Sequence, residues 1–68
     1  MDYDAAEKLM RCYMNINGAL NDATQITNSI QDIEERHYIR RILSNIGQDV
    51  FLELMRPITK KYPDLDPD

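Results

Sequence analysis

At 68 residues the chain is one domain at most, and a core of that size is marginal unless it is stapled or shared with another chain. A single cysteine, Cys12, excludes an internal disulfide framework and leaves no ligand set for a structural zinc. The net charge of −4 speaks against non-specific polyanion binding, which needs dense Lys and Arg.

The apolar fraction of 43% against 29% charged residues is that of a soluble globular protein. No apolar run exceeds three residues, as in Val50-Phe51-Leu52, which is far too short to span a bilayer. The acidic start Met1-Asp2-Tyr3-Asp4 lacks the apolar region of a signal peptide, so a cytoplasmic location is expected and no membrane contact. Charge is uneven. Residues 1–32 and 63–68 are acidic, whereas residues 33–62 carry six bases against four acids.

All three prolines, Pro57, Pro63 and Pro67, lie in the last twelve residues, and no β-branched alternation occurs. Both facts favour helix over strand. In chain order, Asp4 with Glu7 three residues on forms a capping box that opens a helix over 4–28. Leu9, Tyr13, Ile16, Leu20, Ala23, Thr27 and Ile30 step by four and three and share one helical face, with Cys12, Ala19 and Ile26 flanking it. The short connection Ser29–Asp32 implies an antiparallel neighbour. Asp32 caps a second helix, with Glu34 and Glu35 at its positive end. Ile39, Leu43, Ile46 and Val50 form its core stripe, flanked by Ile42 and Leu54. Pro57 should end or kink this helix, although Ile58–Lys61 can add a turn, so its range is about 33–58. The expected fold is all-α: an antiparallel αα-hairpin over 1–62 and an acidic, flexible Pro/Asp tail over 63–68 with little ability to pack.

Helical phasing puts a second apolar set off both stripes. Tyr3, Met10 and Met14 belong to the first helix, and Phe51, Leu52, Met55 and Ile58 to the second. Antiparallel pairing gathers them at the open end of the hairpin. Contiguous exposed apolar surface on a small protein marks an interface, so these seven residues are the expected dimer or partner surface. The expected assembly is a homodimer forming a four-helix bundle.

Other features carry less. Glu34-x-x-His37 has the spacing of a metal-binding pair on one helix face, but both residues point away from the first helix and read as solvated surface, so no metal and no cofactor are expected. Arg36, Arg40 and Arg41 near Tyr38 form a basic arc that could meet phosphate or an acidic partner, although adjoining Glu34 and Glu35 make it a meagre footprint. Cys12 reads as a buried small side chain. One histidine and no Gly-rich loop leave little to build an active site from. The functional expectation is a non-enzymatic protein–protein interaction module acting as a homodimer (a small regulator, adaptor, chaperone or inhibitor). The alternative is a nucleic-acid-binding regulator using the Arg36–Arg41 arc, which the acidic balance disfavours.

Overall fold

The computed structural model describes residues 1–67. Helix α1 spans Tyr3–Ile26 and runs into a 3-10 turn, Thr27–Ser29. Helix α2 spans Ile33–Asp49, continues through a π-helical segment, Val50–Met55, and ends as α3, Arg56–Lys61. A second 3-10 turn, Pro63–Leu65, closes the chain. Among the described residues there is no strand, and the two long helical arms pack as an antiparallel hairpin 46 Å long.

The caps explain where the arms begin. Asp32 accepts hydrogen bonds from the backbone N–H groups of Glu34 (3.0 Å) and Glu35 (3.2 Å), so two of the orphan donors of α2 are satisfied. At α1 the cap is Asp2 rather than Asp4: the Ala5 N–H donates to the Asp2 carboxylate at 2.9 Å. Asp4 lies inside the first turn and pairs with Lys8 at 3.0 Å, and Glu7 pairs with Arg11 at 3.2 Å. The Asp4–Glu7 capping box is therefore replaced by two i,i+4 pairs on the helix surface.

Pro57 does not end the helix. Proline offers no N–H and crowds the carbonyl four residues back, here that of Glu53. The widened turn lies at this place: the Arg56 N–H donates to the carbonyl of Phe51, five residues back, instead of Leu52. Widening the turn opens room in front of the ring, and the helix continues to Lys61.

The wide turn also decides which side chains enter the core. Seam positions in the second arm are Ile39, Leu43, Gly47 and Val50, followed by Met55, Ile58, Tyr62 and Leu65. The step from Val50 to Met55 is five residues. In an unbroken α-helix the next seam residue would be Leu54; the extra residue turns Leu54 outward, to 42% exposure, and Met55 inward, to 4%. Ile58, three residues on, follows Met55 into the core.

In α1 the seam is rotated from the most apolar face. Ala6, Met10, Tyr13, Asn17, Leu20, Thr24 and Thr27 are buried or half-buried. Its polar members have partners: the Asn17 side-chain amide donates to the Met55 sulfur at 3.3 Å, the Thr24 hydroxyl donates to the Leu20 carbonyl at 2.8 Å, and the buried Thr27 hydroxyl donates to the Thr24 carbonyl. The seam can therefore run through them without leaving an unpaired buried group. Ile16 and Ile46, both expected in the core, stand outside it at 41% and 42% exposure.

The segment after the hairpin packs, contrary to the expectation of a tail with little ability to do so. Leu65 and Tyr62 lie against the buried cluster of Ala6, Met10, Val50, Met55 and Ile58. The Tyr3 hydroxyl donates to Asp64 at 2.5 Å, and the Tyr3 ring meets Tyr62 edge-on, with centroids 5.3 Å apart. Lys61 and Tyr62 both donate to the Met1 carbonyl, at 3.1 and 2.9 Å. Asp68, the last residue of that segment, lies outside the described residues.

Candidate functional site

The seven residues expected at the open-end surface divide into three groups. Met10, Met55 and Ile58 are buried in the chain's own core, at 3–5% exposure. They are not free for a partner, because the α1 seam is rotated toward Met10 and the π segment carries Met55 and Ile58 inward. Tyr3 is 42% exposed, but its ring and hydroxyl are taken up by Tyr62 and Asp64. Met14, Phe51 and Leu52 remain exposed, at 48%, 52% and 45%.

A larger apolar surface lies on the opposite side. Ala5, Leu9, Cys12, Ile16, Ala19, Ala23 and Ile26 step by four and three down α1, parallel to the seam; of these Cys12, Ile16, Ala19 and Ile26 are exposed, Ala5 and Ala23 are half-buried, and Leu9 packs against the core cluster. Each is displaced from the seam by roughly 50–150° in the same rotational sense, at 100° per residue. None is charged. Ile42 and Ile46 of α2, and Leu54 beyond the wide turn, are displaced from their own seam by roughly 60–100° in that same sense. In an antiparallel pair, equal offsets on the two helices lie on one side of the hairpin, so both sets share one face. Register agrees: a Cβ placed on Gly47 would meet the Leu20 side chain at 3.9 Å, so Ile46 lies level with the Ala19–Ala23 stretch and Ile42 about one turn nearer the connection. Cys12, expected buried, is exposed on this face.

The basic arc is partly engaged within the chain. Arg36 donates to the Ile30 carbonyl at 3.4 Å, and the Arg41 guanidinium sits 5.6 Å from the centre of the Tyr38 ring. Glu34, His37, Tyr38 and Arg41 line an open surface depression of about 360 Å³. Arg40 is exposed. A carboxylate inside the same depression lowers its appeal to phosphate. Among the described residues no group of three or more His, Cys, Asp or Glu side chains is gathered as a metal site, and no helix is long and apolar enough to cross a membrane.

Compared with known proteins, the chain matches no family model, no curated protein and no solved structure. Its geometry therefore carries the functional argument alone.

The exposed face was recognisable in part from the sequence. The uncharged ladder from Ala5 to Ile26 is plain in the spacing, but it runs beside the seam rather than along it. The signal that separates the two is the pair of half-buried polar residues, Asn17 and Thr24, whose partners become visible only in three dimensions.

Proposed function

We propose that the chain is a non-enzymatic protein–protein interaction module that acts as a homodimer, two hairpins forming a four-helix bundle that serves another protein as a small regulator, adaptor, chaperone or inhibitor. The observation that carries this reading is the imbalance of its apolar side chains. Among the described residues five hydrophobic ones are buried, whereas Ile16, Ile26, Ile33, Ile42, Ile46, Phe51, Leu52 and Leu54 are among the large ones left exposed. Covering a Val, Leu, Ile, Phe or Met side chain is worth about 1.5–3 kcal/mol when it is complete. Exposed ion pairs such as Lys8–Asp4 supply about 0–1 kcal/mol. The driving force for association thus resides in the apolar faces. Met14, Phe51 and Leu52, on the side away from Ile16, Ile42 and Ile46, supply a second and smaller contact for another protein.

Sedimentation equilibrium tests the assembly. A mass of twice 8.0 kDa at micromolar concentration is expected. A mass of one chain that persists as concentration rises would end the homodimer reading.

A further inference from the structure

Hairpin shape and surface area say how much covering the chain needs. The radius of gyration is 14.5 Å, where a compact domain of this length would have about 11 Å. Its accessible surface is 5172 Å²; a compact monomer of this mass would expose about 4,450 Å². The surplus, roughly 700 Å², is close to the ~800 Å² that each partner contributes to a stable interface of standard size. One further layer of helix on one face accounts for it.

We propose that a second copy of this chain covers the face formed by Cys12, Ile16 and Ala19 of α1 with Ile42, Ile46 and Leu54 of the second arm, with the connecting turns of both copies at the same end of the bundle. The proposal rests on the homodimer reading above and adds which face is used and in which orientation. The face is self-complementary in size. Its α1 half sets Ile16 among small side chains (Cys12, Ala19, Ala23), and its other half is large throughout (Ile42, Ile46, Leu54). With the turns at one end, the second arm of each copy lies over α1 of the other, and large side chains meet small ones.

Charge selects the same orientation. Glu35, Asp49 and Glu53 are exposed on the stripe side of the second arm, Glu35 in phase with Ile42 and Ile46, whereas the corresponding edge of α1 carries Asn15 and Lys8, the latter paired with Asp4. Placing the turns at opposite ends would stack the second arm on its own copy. That would line the three carboxylates of one copy along those of the other, and like charges brought together disfavour an interface. The chosen orientation sets these carboxylates against a neutral edge, where Lys8 is paired with Asp4.

Two measurements test the proposal. Sedimentation equilibrium compares the wild type with Ile46→Glu and Phe51→Glu. The expected result is one chain mass for Ile46→Glu and a retained dimer for Phe51→Glu. A dimer retained by Ile46→Glu and lost by Phe51→Glu overturns the assignment of the face while leaving the homodimer reading intact; a wild type that is a single chain ends both. The second measurement leaves the isoleucines untouched, so it stands even if Ile46→Glu fails to fold. Spin labels on Gln31→Cys, in a Cys12→Ala background that keeps the face apolar, report the distance between the two turns in the dimer. A distance well short of the hairpin's 46 Å length supports the shared-end orientation, and one close to that length overturns it.

Discussion

At the end where the chain begins and finishes, Ala6, Met10, Val50, Met55 and Ile58 are closed off from water, whereas toward the turn Thr27 alone among the described residues reaches that depth. Leu20, Ala23, Ile39 and Leu43 near the turn stay half-buried, and Ile26 and Ile33 stand 67% and 58% exposed. The same two helical arms run past both ends. What differs is a third layer. Around the termini, Tyr62 and the Pro63–Leu65 turn fold back over the seam, and Tyr3, Tyr62 and Lys61 tie the chain ends together. Two packed helices hide only the sides of the residues between them, and complete burial needs cover from outside the pair. The turn end has none within one chain.

Core truncation should separate the two ends most strongly. Met55→Ala, in the fully buried cluster, is expected to cost about 2–5 kcal/mol in chemical denaturation. Leu43→Ala, half-buried near the turn, is expected to cost less, because part of its surface is already hydrated. Equal costs would mean that the turn end is covered in solution and that the contrast belongs to the isolated chain.

The two caps offer the next comparison. Asp32→Ala removes the acceptor for two N–H groups at the turn end and should cost about 1 kcal/mol. Asp2→Ala removes an acceptor for one N–H and should cost less. Thermal melts of the two variants rank them.

Deleting Glu53 sharpens the argument about the wide turn. Removal of one residue between Val50 and Met55 makes that step four, the ordinary α-helical spacing. Met55 and Ile58 then stay on the seam, so the deletion should disturb stability less than Met55→Ala does. Circular dichroism with denaturation would show the contrary outcome, a deletion as damaging as the core truncation, and that would mean the π segment itself is required.

The smallest expected effect is a pH response at the terminal end. The hydrogen bond to Asp64, then partial desolvation and the nearby negative charges of Asp64 and Glu7, raise the Tyr3 phenol above its ordinary value of 10.0. A folded-state pKa raised in this way means the contact contributes at lower pH and is lost as pH rises through the raised value, beyond pH 10. Tyrosine absorbance should therefore show a component that ionises above pH 10, and Tyr3→Phe should remove it. Since the group is solvent-facing, the global melt should move little.

Helix over strand, the Asp32 cap, the antiparallel hairpin and the seam residues Ile39, Leu43 and Val50 were legible from residue spacing, because each depends on local periodicity and local hydrogen bonding. The α1 seam was legible only at the positions that the two ladders share or nearly share, such as Leu9, Tyr13, Leu20 and Thr27. Ranking faces by hydrophobicity favours Ile16 over Asn17, whereas packing needs a face that fits its neighbour, and Asn17 fits once Met55 is there to accept its amide hydrogen. Pro57 was visible as a perturbation, but a kink, a stop and a widened turn are all consistent with a proline in a sequence.

What the amino-acid order determined alone is thus the set of helices and their pairing: repeated apolar spacing, a capping aspartate and a short link act over a few residues, and each can be counted. The tertiary structure decided the rotation of each helix about its axis. That rotation is a compromise between arms, and a one-residue widening between Val50 and Met55 is enough to exchange Leu54 for Met55 in the core. Because the angle is set by contacts between residues far apart in the chain, no window along the sequence contains it. It is this angle that takes Met10, Met55 and Ile58 inside and leaves Ile16, Ile42, Ile46 and Leu54 facing water.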